Sequence, residues 1–149
     1  MIYWFTGQPG AGKSTLAAAL KAVLQKRGLS VVHIDGEEIR EITGNDDYSE
    51  TGRVINIRTG QRLAAKLDTE GVSVVASFVS PYRTMREEFK KNLKVVEIYV
   101  HTTAIRGREK YFVRDYEPPL ANFVDVDTTD ATVEECIEKI LKVHQRKNL

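Results

Sequence analysis

The chain has 149 residues, with 22 Lys or Arg against 21 Asp or Glu, and that length favours one domain spanning 1–149 with a sizeable core. The near-zero charge balance gives no bulk attraction to nucleic acid or to a membrane surface, so any basic site must be local. One cysteine, Cys136, excludes an internal disulfide and fits a reducing, cytoplasmic setting, and neither a signal-peptide pattern nor an apolar run of membrane-spanning length is expected.

Ile2 to Thr6 is apolar, aromatic and β-branched, and reads as a strand. It runs into Gly7-Gln8-Pro9-Gly10-Ala11-Gly12-Lys13-Ser14-Thr15, a full match to G-x-x-x-x-G-K-[ST]. Leu16, Leu20, Val23 and Leu24 continue it with helical spacing to about Arg27, and Gly28 marks a stop. Strand, glycine-rich turn and helix N-terminus together make an anion site. In that pattern Lys13 reaches the β- and γ-phosphates of a nucleoside triphosphate and the Ser14 hydroxyl holds Mg²⁺. Without a ligand the stretch is only a glycine-rich turn, but the motif and its flanks agree.

Ser30 to Ile34 is a second strand ending at Asp35, with His33 a packed or partly exposed strand residue rather than a metal ligand. Glu37 to Ile42 reads as a short helix and Thr43 to Tyr48 as a polar loop. Ser49 can cap a helix to about Glu70, with Val54, Ile57, Leu63, Ala64 and Leu67 as its apolar side and Gly60 weakening its middle. Val72 to Phe78 is a buried strand, and Pro81 stands near the N1 position of the next helix. Lys94 to Val100 is a fourth strand. Thr102 to about Arg108 is expected as a short helix, and Glu109 to Leu120, with its paired prolines, as an irregular flap. Phe123 to Val126 is a fifth strand. An amphipathic helix follows from Thr132 to about Arg146, with Val133, Ile137, Ile140, Leu141 and His144 on one face and Cys136 as a small buried hydrophobe.

Alternating strands and helices predict an α/β fold, a P-loop NTPase-type three-layer αβα sandwich around a mostly parallel five-stranded sheet. Ligands then bind at the carboxyl ends of the strands. That places Asp35 beside the phosphate loop, where a carboxylate orients Mg²⁺, directly or through water, or accepts a proton from an attacking hydroxyl. Asp35 also suits a helix N-cap, and the two roles are compatible. Arg40, Arg53, Arg58 and Arg83 border the same cleft. Singly they read as surface residues, but together they make a case for an anionic acceptor. Tyr48 and Phe112 either sandwich a planar base or anchor their loops to the core.

The chain resembles the adenylylsulfate kinase family over nearly its whole length. Trp4-Phe5-Thr6-Gly7 leading into the phosphate loop is similar to the family's opening, and Asp35-Gly36-Glu37-Glu38-Ile39-Arg40 resembles its D-G-D-x-[VI]-R stretch. Tyr48-Ser49, Arg53 and Asn56-Ile57-Arg58 resemble F-S-x-x-D-R-x-x-N-I-R. Ser77-Phe78-Val79-Ser80-Pro81-Tyr82-Arg83 resembles S-F-I-S-P-Y-R, and Asp115 to Pro119 resembles D-P-Y-E-x-P. The resemblance implies ATP-dependent phosphorylation of the 3′-hydroxyl of adenosine 5′-phosphosulfate. Gly7 to Thr15 would hold ATP and Mg²⁺, with Ser14 and Asp35 at the metal. Lys13, Asp35 and Ser80 would be catalytic. Asp35, Arg40, Arg53, Asn56, Val79 and Ser80 would contact the acceptor, and Tyr48, with Phe112 opposite, would stack on its adenine. Ser80 matches a serine proposed in the family as a phosphorylated intermediate; direct in-line transfer, with Ser80 shaping the site, is the reading preferred. The family also implies a homodimer.

The chain departs from this pattern in four places. Gly52 stands where the family usually has Asp, Ile55 replaces a polar residue, Glu37 replaces the second Asp of D-G-D, and the lid is shortened over about 104–120. Arg106, Arg108 and Lys110 are the residues available to replace the lid's missing basic segment. The departures keep open a related kinase for another small anionic nucleotide-like acceptor. A nucleotide-binding regulatory module is a third reading, although a pure sensor has no need of Asp35 and the arginine set.

Overall fold

A computed structural model describes residues 1–147, with side chains through residue 143; His144 and Arg146, expected at the end of the last helix, lie outside the described side chains. The strands are β1 (Ile2–Thr6), β2 (Val31–Asp35), β3 (Ser73–Ser77), β4 (Val95–His101) and β5 (Phe123–Asp127). They form one sheet in the order β2-β3-β1-β4-β5, and every neighbouring pair is parallel. The helices are α1 (Lys13–Lys26), α2 (Gly36–Thr43), α3 (Glu50–Thr69), α4 (Arg83–Asn92) and α5 (Val133–Lys147). Among the described residues, no helix is long and apolar enough to cross a membrane.

The alternation of β1 explains the three layers. Tyr3 and Phe5 point to one face, where Leu16, Leu20 and Leu24 of α1 meet Ile137 and Ile140 of α5. Ile2 and Trp4 point to the other, against Ile39, Ile57, Ala64 and Met85 of α2, α3 and α4. Both faces are covered, so the strands are nearly continuous apolar runs. Cys136 is buried in the first of these cores, as a free thiol.

Several local expectations shift. Ser49 does cap α3, its Oγ accepting from the Gly52 amide. The buried side of α3, however, runs through Gly52, Asn56, Ile57, Gly60, Gln61 and Ala64, while Leu63 is exposed. The Phe78 ring sets this face. A Cβ at Gly60 would lie 2.3 Å from the ring's Cζ, so the glycine that weakens the helix also admits the ring. Val133 is likewise exposed at the start of α5. Pro81 lies two residues ahead of α4, whose N-cap is Tyr82, rather than at N1. Thr102 to Arg108 forms no helix. Thr102 and Thr103 bond to Thr129, Gly107 takes φ +84°, and only a 3₁₀ turn at Glu109–Tyr111 follows.

Candidate functional site

At the carboxyl end of β1, Gly7 passes so close to β4 that a Cβ there would lie 2.1 Å from the Val100 carbonyl oxygen. Gly12, at φ +108°, turns the chain into α1. The first turn of α1 thereby opens on a cleft of about 440 Å³, lined on this side by Pro9, Gly10, Gly12, Lys13, Ser14 and Thr15. The unpaired amides of that turn and the helix dipole both suit phosphate oxygens. Lys13 is buried beneath them, and its Nζ donates to the Gln8 carbonyl at 2.8 Å. Burial pulls its pKa down to about 8; Asp35 and Glu37 oppose the shift and Arg108 adds to it. A polyphosphate would therefore replace hydration that burial takes from this cation. Gly7, Gln8 and Ala11 shape the loop without lining the cleft, and the Gln8 side chain turns away to Val113.

Asp35 ends β2 and caps α2, its Oδ1 accepting from the Glu37 amide at 2.9 Å. Its Oδ2 accepts from Ser14 Oγ and from Ser77 Oγ, each at 2.8 Å. Burial would raise its pKa, but the hydrogen bonds from Ser14, Ser77 and the Glu37 and Glu38 amides outweigh burial and hold it below the ordinary carboxylate range. Asp35 is thus an ionised acceptor at neutral pH, suited to orienting a hydroxyl or a cation. Ser14 Oγ and this carboxylate are hard oxygen donors in contact, which fits Mg²⁺. Among the described residues there is no cluster of three acidic, His or Cys side chains that could hold a metal, so such an ion would complete its shell with phosphate oxygens and water. His33 stands behind, its Nε2 2.8 Å from Ser77 Oγ.

A second chamber of about 580 Å³ adjoins the first, and the two share Pro9, Gly36, Glu37, Phe78, Val79 and Arg108 as a common wall. It brings together all the expected acceptor residues except Asp35, which lines the first chamber: Arg40, Tyr48, Arg53, Asn56, Val79, Ser80 and Phe112. Arg40 is buried in α2; its Nη1 donates to the carbonyls of Asn45 and Asp47, and its guanidinium lies 4.0 Å from the centre of the Tyr48 ring. One face of Tyr48 is therefore covered by a cation. Ser80 takes a left-handed φ of +46°, costly for serine. Its buried Oγ and the buried Asn56 Oδ1 have no hydrogen-bond partner among the described residues, and both residues line this chamber. Such orphans are expensive unless a ligand or water meets them.

The structure separates the other two arginines from the cleft lining. Arg58 pairs with Glu88 at 3.5 Å on the surface, and Arg83 Nε donates to the Pro118 carbonyl. Gly52 explains its own departure: a Cβ there would lie 2.1 Å from the Asp47 carbonyl oxygen and 2.5 Å from its Cγ. The 45–49 loop occupies the space an aspartate at 52 would need.

Sequence reasoning named Arg108 and Lys110 only as possible stand-ins for the lid and passed over Tyr111, yet all three line the second chamber. Arg106 instead lines the first chamber and braces the phosphate loop, donating to the Ala11 carbonyl at 3.0 Å and the Thr128 carbonyl at 2.7 Å. Arg86 was missed altogether. Fully buried, it pairs with Glu97 at 2.7 Å and donates to the carbonyls of Ser80 and Glu117, holding both the strained Ser80 turn and the root of the flap. Lys90 joins the pair, 2.7 Å from Glu97. The only sequence signal was a lone Glu in the apolar β4 run, which called for a basic partner.

A phosphate loop opening α1, a β2 carboxylate beside it and a second polar chamber across a shared wall, all on a parallel sheet, define a P-loop kinase. The family model for adenylylsulphate kinase matches residues 1–116, and the chain belongs to that family. Over 95% of its length it is 34% identical to the adenylyl-sulfate kinase of Prochlorococcus marinus, covering 81% of that protein. It is 33% identical over its full length to that of Chloroflexus aurantiacus, covering 91%. Among solved structures, the Mycobacterium tuberculosis APS kinase in complex with AMPPNP and APS superposes with a TM-score of 0.84 over 97% of this chain and 96% of that one; at 20% identity this speaks to the fold alone.

Proposed function

We propose that the chain transfers the γ-phosphoryl group of ATP to the 3′-hydroxyl of adenosine 5′-phosphosulfate, giving 3′-phosphoadenosine 5′-phosphosulfate and ADP. The observation that carries this is the pair of chambers with one wall, donor groups in the first and orphaned polar groups in the second. The α1 amides and Lys13 hold the donor phosphates. Arg40, Arg53, Asn56, Val79 and Ser80 receive the acceptor, with Tyr48 and Phe112 against its adenine. Ser14 and Asp35 would hold Mg²⁺, directly or through water, and the chemistry it would supply there is charge neutralisation at the transferred phosphoryl group. Asp35 accepts a hydrogen bond from the acceptor hydroxyl and aligns it for in-line attack; Ser80 shapes the site and is not phosphorylated. Catalysis is positioning and electrostatics.

Residues 1–149 act as one kinase domain in this reading. The single buried cysteine and the nucleotide substrates fit a cytoplasmic enzyme of sulfate assimilation working as a homodimer. A hexameric APS kinase from Thiobacillus denitrificans is 28% identical and superposes with a TM-score of 0.80 over 98% of this chain but only 29% of its own, so assembly is to be measured directly by light scattering. The loop packed on Gly52 favours a second reading, a kinase for another small anionic nucleotide. An acceptor panel with ATP decides between them. Turnover on adenosine 5′-phosphosulfate supports the first, and turnover on another nucleotide with none on it refutes that reading. ATP binding with no acceptor turned over would favour a regulatory module.

A further inference from the structure

Gln8 sits inside the phosphate loop, yet its side chain lines neither chamber. Its carboxamide lies against the flap, with Nε2 donating to the Val113 carbonyl at 2.8 Å and Oε1 accepting from the Val113 amide at 2.9 Å. The two bonds satisfy one residue's backbone completely, as a strand partner would. Val113 is buried, although most of the flap around it is exposed. Gln8 is fixed from the other side too, since its own carbonyl accepts from Lys13 Nζ at 2.8 Å. The same junction carries a second stitch, a 2.7 Å bond between Thr6 Oγ1 and the Tyr116 hydroxyl. Between Arg106 and Val113 lie Arg108, Lys110, Tyr111 and Phe112, the flap's contribution to the second chamber. No helix or strand runs through that stretch; a short 3₁₀ turn and the Glu109 carboxylate, which accepts from the Arg106, Gly107 and Arg108 amides, order its first half.

We propose that Gln8 is a positioning residue: its side-chain amide staples the shortened flap to the phosphate loop, so that Phe112, Tyr111 and Arg108 stand at the acceptor chamber before any substrate arrives. The staple replaces length. A short flap has no helix or strand to carry it across the site, and two hydrogen bonds to the phosphate loop hold it there instead. Because docking needs no closure, the ordering cost is met on folding rather than on binding. This inference rests on the reading of the second chamber as the acceptor's.

The test compares the full-length wild type with Gln8→Ala and Gln8→Glu. Glu keeps the bulk and the acceptor but loses the donor to the Val113 carbonyl. Hydrogen exchange of the substrate-free protein is expected to rise about tenfold over residues 109–116 in Gln8→Ala, and less in Gln8→Glu, with β1 and β4 unchanged. In steady state, KM for the acceptor is expected to rise about tenfold in Gln8→Ala, by more than KM for ATP. Unaltered flap exchange would overturn the staple. Faster exchange with an unchanged acceptor KM would overturn its positioning role. Exchange is read without substrate, so a wild type inactive on adenosine 5′-phosphosulfate would refute the functional reading while leaving the staple to be judged on exchange alone.

Discussion

The phosphate loop and the flap meet at Gln8 and Val113 but hold their shapes in different ways. The loop is nine consecutive residues, Gly7 to Thr15, whose form follows from glycine geometry and the helix it starts. The flap has one 3₁₀ turn and a local Glu109 cap but no helix or strand. Its path is set by partners far away in sequence: Gln8 for Val113, Thr6 for Tyr116, Arg86 for Glu117 and Arg83 for Pro118. A loop built from its own backbone supplies chemistry common to many donors. A flap hung on distant side chains can be shortened or re-aimed without disturbing the loop, and acceptor choice is the property best placed to vary with it.

The comparison predicts unequal responses to substitution. Arg86→Met strikes the flap's root and leaves Glu97 buried with only Lys90; a loss of about 3–5 kcal/mol in denaturant unfolding is expected. Lys13→Ala strikes the loop's one buried cation, and transfer should fall about a thousandfold in an ADP-release assay without a comparable loss of stability. Asp35→Asn should cost about a hundredfold in turnover. Asparagine caps helices as well as aspartate does, so the melting curve should barely move, separating the site role from the cap. Gly52→Ala forces the 45–49 loop away from α3 and should raise the acceptor KM about tenfold while ATP binding holds.

The smallest effect concerns protons. Burial disfavours the Lys13 ammonium in the free protein, with a pKa of about 8, and bound phosphate favours it. The nucleotide complex therefore holds more protons than the free protein from about pH 8 upward. Binding should take up a fraction of a proton there, and affinity should fall as pH rises through that value. Calorimetry in two buffers of different ionisation enthalpy measures the uptake; none at pH 8.5 would contradict the assignment.

Much of this was legible in the sequence for a physical reason. Strand and helix periods, the contiguous phosphate motif and the rule that ligands sit at strand ends led to Lys13, Ser14 and Asp35, because each is fixed by its immediate neighbours; Ser80 entered only through the resemblance of Ser77 to Arg83 to a family motif. What escaped were pairings between elements. Arg86 with Glu97, Gln8 with Val113 and Ser77 with His33 leave no local pattern. The expected helix at Thr102 to Arg108 failed for the same reason: its threonines are committed to Thr129, on the far side of β5 in sequence. Arg58 and Arg83 look equivalent to Arg40 and Arg53 by their place along the chain; the family resemblance singles out the latter pair, and the fold sets them apart.

The most direct measurement of the central claim locates the transferred phosphate. Incubation with γ-labelled ATP, Mg²⁺ and adenosine 5′-phosphosulfate should place the label on the 3′-oxygen of the product, one per ADP formed, with none retained on the protein. Label retained on Ser80 and chased into product would contradict direct transfer. Label appearing on a different nucleotide acceptor, and never on adenosine 5′-phosphosulfate, would contradict the function.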